Sequence, residues 1–247
     1  MLRQELLTKL NALLQPQLFN DYCPNGLQIE GKNEIERVIC GVSLTQALID
    51  EALKFKADAI MVHHGIFWNK DNPALVGIKY QRVAKLIKHD INLIAYHLPL
   101  DGHPELGNNA GIARLFGIGD CTQSGEQNLL WSGKLPQPLK LSAVVAKYCA
   151  STGHEPHYFG DADKLISSMA WCSGGAQGMF GAAIDLGVDC YLSGEISEPT
   201  MGLSAESAVA YIAGGHYVSE RFGVMALSDL LNQWGIESRF VDLYNPI

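Results

Sequence analysis

Long apolar segments are absent from this sequence of 247 residues. No apolar run approaches the roughly 18 to 20 residues that a helix needs to cross a bilayer, which excludes an integral membrane protein. Residues 1–15 also lack the apolar core and cleavage site of a signal peptide, and their leucine spacing predicts an amphipathic helix that ends before Pro16. Charged residues make up 18% of the chain and apolar residues 47%, a balance that excludes intrinsic disorder.

Cysteine pairs with metal-ligand spacing are also missing. The sequence has 6 Cys and no C-x-x-C motif, and most of the cysteines stand among apolar residues. This pattern is typical of reduced, buried thiols. We therefore expect a cytoplasmic protein without a disulfide framework.

Basic residues are in the minority, with 18 Lys and Arg against 26 Asp and Glu and a net charge of -8. An acidic surface repels phosphate backbones, which disfavours a nucleic-acid-binding protein. A small anionic substrate is still compatible with this charge, because bound cations can reverse the field around a site.

Short apolar strands alternate with amphipathic helices along most of the chain, which is typical of α/β proteins with largely parallel sheets. We predict two α/β lobes of related topology: a discontinuous one formed by 1–120 and 205–247, and a middle one formed by 121–204. The pattern loosens between about 120 and 165, where the segment LPQPL contains two prolines. The predicted strands are 38–42, 59–62, 91–96, 169–172, 189–192, 208–213 and 238–243, and the predicted helices are 2–14, 47–55, 80–88, 107–116, 141–149, 179–186 and 216–234.

The two predicted lobes share a sequence pattern. Shifted by 131 residues, the segment 38–64 aligns without a gap on 169–195, with Asp58 opposite Asp189. Identical residues are few, and any two strand-helix-strand units share an apolar pattern. The alignment therefore leaves an internal duplication and a chance similarity equally open.

Candidate ligands stand at the end of each of these segments. His63 and His64 follow a buried strand, and a turn at Gly65 would let both rings reach one cavity. Gly194 and Glu195 end the second segment in the same way. Because ligands gather at the carboxyl ends of strands in open α/β sheets, both positions are candidates for a site.

A further histidine and carboxylate, His97 and Asp101, follow the next strand in the segment YHLPLD. Because Pro99 opposes a helix, we predict a shaped loop here. A carboxylate in such a loop is a good ligand for a divalent cation. Asp101 could instead cap a turn, and His103 in the same loop could be a surface histidine.

The third candidate pair is His216 and Glu220, four residues apart at the start of a predicted helix. This spacing places a nitrogen and an oxygen ligand on one helical face, although Arg221 also offers an explanation as a surface ion pair. Three histidines and two carboxylates after strands form the ligand inventory of a dinuclear centre. Imidazole and carboxylate ligands suit Zn, Mn, Fe, Co or Ni.

One glycine-rich segment, SGGAQG at 173–178, lies between a strand and a helix. Backbone amides at such a position can bind phosphate. The segment matches neither G-x-G-x-x-G nor a Walker loop, so a tight strand-to-helix turn is the favoured interpretation.

These motifs together resemble the NIF3 family, whose bacterial members are often labelled GTP cyclohydrolase 1 type 2 homologues. The resemblance extends nearly from end to end. It is carried by DYCPNGLQIEG (21–31), ADAIMVHHGIFW (57–68), INLIAYHLPLDGHPELGNN (91–109), AWCSGGAQG (170–178), VDCYLSGE (188–195) and GGHYVSERFGV (214–224).

The resemblance implies a two-lobed α/β fold, a ring-shaped homohexamer and two divalent metal ions per subunit. One metal would bind His64, Asp101 and Glu220, and the other would bind His63, His216 and the same Glu220. His97 and Glu195 would lie near the metals.

A dinuclear, metal-dependent hydrolase is the function that this ligand set implies. A metal-activated water would attack a small, nucleotide-like substrate, and His97 or Glu195 would move the proton. The alternative is a non-catalytic ring whose metals stabilise a scaffold or a partner-binding surface. The two differ in whether a nucleotide or phosphoester is consumed.

Overall fold

The α/β alternation expected from the sequence is present in the computed structural model, which describes residues 1–243 and 245–247. The helices are α1 Arg3–Leu14, α2 Gln46–Phe55, α3 Gly77–Lys88, α4 Leu98–Gly102, α5 Asn108–Phe116, α6 Leu141–Thr152, α7 Phe180–Asp185, α8 Thr200–Ser207, α9 His216–Ser219 and α10 Arg221–Gln233. The strands are β1 Gly26–Ile29, β2 Arg37–Ser43, β3 Ala59–His64, β4 Asn92–Ala95, β5 Cys121–Ser124, β6 Leu130–Lys140, β7 His157–Phe159, β8 Leu165–Cys172, β9 Cys190–Ser193, β10 Ala210–Ala213 and β11 Glu237–Phe240. The predicted fold class is confirmed.

Contacts divide the chain into two units. The first comprises Met1–Leu106 and Gly223–Tyr244, and the second comprises Gly107–Phe222 and Asn245–Ile247. The sequence-based division instead places 107–120, 205–222 and 245–247 in the first lobe. The difference has a structural reason, because β10 is hydrogen-bonded to β9 and β7 within the second unit.

The first unit has a five-stranded sheet in the order β1-β4-β3-β2-β11. Four strands run parallel and β1 is antiparallel to β4. Helix α2 begins where the Thr45 hydroxyl accepts a hydrogen bond from the Leu48 amide at 3.1 Å, and it buries Leu48, Ile49 and Ala52 against the sheet. This apolar packing fixes the carboxyl ends of β3 and β4.

The second unit has a six-stranded sheet in the order β5-β6-β8-β9-β10-β7. Strands β8, β9 and β10 are parallel, and the remaining pairs are antiparallel. Strand β6 runs through the proline-containing segment where the sequence pattern loosens. Its pairing with β8 is interrupted between Lys134 and Leu139, which is how the strand accommodates the two prolines.

The alignment by 131 residues corresponds to equivalent strand pairs. Val38 pairs with Ala59 in the first sheet, and Met169 pairs with Cys190 in the second. Strands β1, β4, β3 and β2 occur in the same order as β7, β10, β9 and β8. Related topology in the two units is therefore confirmed at the level of strand register.

The aspartates at equivalent positions make the same contacts. Asp58 Oδ2 accepts hydrogen bonds at 3.0 Å from the backbone amides of Glu36 and Arg37. Asp189 Oδ2 accepts from the amides of Ser167 and Ser168 at 2.8 and 2.9 Å. Each carboxylate thus links the residue that precedes one parallel strand to two backbone amides of the neighbouring segment, directly before the residues that pair with that strand.

No helix within the described residues combines the length and the apolar character that a membrane span requires. Four of the cysteines, Cys23, Cys40, Cys172 and Cys190, are buried. Burial raises the pKa of the Cys40 thiol to about 11.

Candidate metal centre

The first ligand group lies at the carboxyl ends of β3 and β4 in the first unit. His63 and His64 are the last residues of β3, whereas the sequence predicted that the strand would end before them. Their rings nevertheless lie 4.7 Å apart between centroids. Long side chains at the end of a strand can extend past the sheet edge, so no turn is needed to bring the rings together.

His63 is held in an orientation that suits a metal. Its Nδ1 lies 3.0 Å from the Tyr96 carbonyl oxygen, which can only accept, so Nδ1 carries the proton. The Nε2 atom of the neutral ring then has the lone pair and lies 3.5 Å from Oδ2 of Asp101. Both residues are buried. Two acceptors that face each other inside a protein require a proton or a cation between them, and this donor set therefore fits a divalent metal.

Two more histidines complete this group. Nδ1 of His64 lies 2.9 Å from the Ser43 hydroxyl, and Nδ1 of His97 lies 2.8 Å from Oδ1 of Asp21. One ring nitrogen of each of His63, His64 and His97 lies within 4.8 Å of the others, a spacing that could accommodate a metal ion. Because each Nδ1 has its own partner, Nε2 is the nitrogen that each ring offers to the group.

The segment after β4 is helical, so the prediction of a loop there was wrong. Asp101 lies in α4, which begins after His97 and has Pro99 in its first turn. Proline is tolerated at this position because a first-turn amide has no partner within the helix. His103 is not simply a surface residue, since its Nδ1 accepts hydrogen bonds from the amides of Glu105 and Leu106.

Asp21 is a site residue that sequence reasoning missed. Burial alone would raise the pKa of this carboxyl group, but its hydrogen bond and electrostatic interaction with the His97 ring, together with the Asn25 amide and the Leu98 backbone, lower it to about 2. In the sequence, the segment around Asp21 stands out only as part of a family motif. Asp21 lies in an irregular segment before β1, where no apolar periodicity marks the end of a strand or helix as a candidate site.

The second ligand group lies in the second unit, after β9 and β10. Nδ1 of His216 lies 2.6 Å from Oε1 of Glu195, and Nε2 of His216 lies 3.1 Å from Oε1 of Glu220. The predicted continuous helix over 216–234 is interrupted here, because Glu220 separates α9 from α10 with φ -107° and ψ 6°. Glu220 is only 3% exposed, which argues against a solvated surface ion pair.

Two carboxylates flank the His216 ring, one at each nitrogen. Burial would lower the pKa of His216, but hydrogen bonds and negative charge from Glu220 and Glu195 outweigh burial and raise it to about 9. The ring therefore needs a positive charge at Nε2, from a proton or from a metal. A carboxylate on Nδ1 and a metal on Nε2 is the usual arrangement of metal-ligating histidines.

The glycine-rich segment at 173–178 packs against this group. The amides of Gly174 and Ala176 donate to the hydroxyls of Ser219 and Ser193 at 2.9 and 3.1 Å. A β-carbon on Gly174 would overlap Oε1 of Glu220. With these amides engaged and a carboxylate alongside, the geometry favours a tight turn over a phosphate-binding loop.

Known proteins resemble this chain over nearly its whole length. The family model described as Duf34/NIF3 (NGG1p interacting factor 3) matches residues 1–246. A Neisseria meningitidis protein named GTP cyclohydrolase 1 type 2 homolog is 46% identical over 246 residues, which cover 99% of each chain. A Pseudomonas aeruginosa protein of the same name is 42% identical over 245 residues, or 98% of this chain and 97% of the other.

Solved structures have the same fold as this chain. A protein described as ybgI, of unknown function, superposes with a TM-score of 0.96 at 40% identity, with both chains covered completely. The match of family, length and fold extends over both units. The chain belongs to the Duf34/NIF3 family.

Proposed function

We propose that this protein is a metal-dependent hydrolase that acts on a small, nucleotide-like substrate. The observation that carries the proposal is the hydrogen bonding of its histidines. Each Nδ1 atom has a hydrogen-bond partner within its own unit, which leaves Nε2 as the nitrogen that can bind a cation. The three histidines proposed as ligands and their Nδ1 partners are His63 with Tyr96, His64 with Ser43 and His216 with Glu195. His97 has the same arrangement with Asp21 but is not assigned to a cation.

The assignment of two cations follows the family resemblance and is part of this proposal. One cation would bind His64, Asp101 and Glu220, and the other would bind His63, His216 and Glu220. Divalent cations in such a set supply a Lewis acid that activates water near neutral pH. They also add positive charge for an anionic substrate in a chain whose net charge is -8.

His97 is the residue that we propose to handle the proton of the reaction. Its Nδ1 is engaged by Asp21, so any proton gained or given up near His63 and His64 passes through Nε2. Glu195 contacts His216 directly. We propose that Glu195 holds His216 in position as a ligand. Any proton that Glu195 moves would then pass through the His216 ring.

The nucleotide-like substrate is proposed from the names of the relatives, several of which are called GTP cyclohydrolase 1 type 2 homolog. A homohexameric ring and a cytoplasmic location are further parts of the proposal that come from the resemblance and from the cysteine pattern. The competing function is a metal-binding ring without catalysis, in which the cations stabilise the fold.

Metal analysis and a substrate screen test the proposal together. Protein purified without chelator should contain about two divalent ions per subunit, and fewer than one would contradict the dinuclear site. The metal-loaded protein is then incubated with nucleotides and phosphoesters, and product is measured by chromatography. We expect Asp101→Asn to abolish turnover while the circular dichroism spectrum is retained, and the exposed control Asp71→Asn to behave like wild type.

The same experiment separates the two functions. If metal removal lowers the melting temperature but no substrate is consumed, the non-catalytic ring is correct and the hydrolase is wrong.

A further inference from the structure

Asp21 is a buried carboxylate whose two oxygens are both engaged. Oδ1 accepts from the Tyr22 amide at 2.7 Å and faces His97 Nδ1 at 2.8 Å. Oδ2 accepts from the Asn25 side-chain amide and from the Leu98 amide, each at 2.9 Å. The loop that contains Asp21 thus surrounds one carboxylate with donors, and the His97 ring is one of them.

A metal site on this loop is the first alternative. Asp21, Cys23 and His97 each offer an atom within 4.8 Å of the others. However, burial and the nearby Asp21 charge raise the pKa of the Cys23 thiol to about 12, and the thiol itself lies 3.7 Å from Oδ1. A thiol that stays protonated is a poor ligand, and the carboxylate oxygens already have donors. The arrangement therefore positions the His97 ring and is not a metal site.

The position of His97 is fixed by several contacts besides Asp21. Its backbone amide donates to Asn25 Oδ1 at 2.8 Å. Its ring makes edge contacts with Trp68 and Tyr22, with centroid separations of 5.2 and 5.4 Å. The ring lies 5.0 Å from the His63 ring, between centroids. These contacts hold the imidazole in the orientation in which Nδ1 faces Asp21.

We propose that Asp21 is a positioning residue that holds His97 as the tautomer protonated at Nδ1. A carboxylate can only accept, so it selects Nδ1–H, and the lone pair of the neutral ring is then at Nε2, on the side of His63 and His64. The inference concerns the tautomer, and its consequence for catalysis rests on the proposed function, in which His97 handles a proton at Nε2.

Nitrogen-15 solid-state NMR of histidine-labelled, metal-loaded protein tests the tautomer directly. The signals of His97 are assigned by their loss in His97→Gln. We expect Nδ1–H in wild type and a shift to Nε2–H in Asp21→Ala, because alanine offers Nδ1 no acceptor, whereas asparagine would keep an acceptor oxygen. Wild-type protein with its proton on Nε2 of His97, or an unchanged tautomer in Asp21→Ala, would overturn the inference.

A second variant distinguishes positioning from a merely structural role. Asn25→Ala removes hydrogen bonds to Asp21 and to the His97 amide but keeps the carboxylate. We expect it to lower the melting temperature and to keep Nδ1–H. Where a substrate has been found, Asp21→Ala should lower kcat about a hundredfold or more while metal content stays at the wild-type level. Retained kcat together with a changed tautomer would contradict the catalytic role of His97, and the tautomer result would still decide the inference on Asp21.

Discussion

The Nδ1 atom of His216 lies 2.6 Å from Oε1 of Glu195, and this carboxylate also accepts from the Gln177 side-chain amide at 3.1 Å. A carboxylate on Nδ1 sets the orientation of the ring and makes Nε2 a stronger ligand. Under the proposed function, Glu195 would therefore support a metal ligand without touching a metal itself. Its neighbour Gln177 fixes the second oxygen of the same carboxylate.

This relationship predicts that Glu195→Gln weakens metal binding by about 10- to 100-fold, because glutamine keeps an acceptor oxygen but lacks the negative charge. Competition with a chelator, followed by mass spectrometry of the retained metal, measures the change. The exposed residue Glu198 offers a matched control, and Glu198→Gln should retain metal like wild type. Equal retention in both variants would mean that Glu195 does not support His216.

A β-carbon at Gly174 should disturb the metal ligands specifically. Gly174 has φ +66°, and an added β-carbon would overlap Oε1 of Glu220 and lie 3.3 Å from Nε2 of His216. Gly153 has a similar φ of +71° but open space around it. We expect both Gly174→Ala and Gly153→Ala to lose about 1 kcal/mol of stability from the left-handed backbone, and only Gly174→Ala to lose metal.

Urea unfolding of the chelated proteins gives the stability change, and metal analysis gives the second readout. If Gly153→Ala loses as much metal as Gly174→Ala, the effect comes from backbone strain and not from contact with Glu220.

Metal content should depend more on Glu220 than on His97. In the proposed function, which follows the family resemblance, Glu220 would bind both cations and His97 neither, so Glu220→Gln should remove most of the bound metal, whereas His97→Gln should remove little. Both residues are buried, which makes them comparable in their packing. Metal equivalents per subunit are measured after gel filtration, and equal losses in the two variants would refute the shared role of Glu220.

The sequence was sufficient to find the candidate ligands because His63, His97 and Glu195 lie at or just after the carboxyl ends of apolar strands, which are the strongest local signal in an α/β chain. The parallel sheet then brings such positions to one edge in each unit. The equivalence of Asp58 and Asp189 is also visible in the alignment by 131 residues. Only the structure shows its physical basis, which is that both carboxylates accept hydrogen bonds from equivalent backbone amides.

Features that depend on tertiary contacts could not be read from local patterns. Asp21 lies in an irregular loop, and its role follows from the distant residue His97. The interruption at Glu220 falls within a sequence that keeps helical periodicity, so spacing alone predicts one helix. Pro99 predicts a helix break from the sequence, because nothing marks the start of α4. A proline is acceptable in the first turn, but His97 at this start makes no side-chain capping hydrogen bond.

The two equivalent aspartates should each stabilise their own unit. Asp58→Ala and Asp189→Ala leave two backbone amides each without an acceptor, which should cost on the order of 2 to 4 kcal/mol. Chelator-treated protein is used, so that loss of metal does not contribute, and urea unfolding is followed by circular dichroism. Asp71→Ala, on the surface, serves as the control and should change stability by less than about 0.5 kcal/mol.

The contribution of these aspartates should disappear in acid. Burial would raise the pKa of Asp58, but hydrogen bonds from Lys32 and from the amides of Glu36 and Arg37 lower it below the ordinary value, and that of Asp189 is lowered by its serine contacts. A carboxyl group whose pKa is lower in the folded state stabilises the fold above its unfolded pKa of about 3.9 and stops doing so as the pH falls through the folded value. The difference in unfolding free energy between wild type and Asp58→Ala should therefore be largest at pH 7 and should shrink when the pH is lowered from about 5 toward 2. A difference that stays constant over this range would show that the aspartate acts through packing and not through its charge.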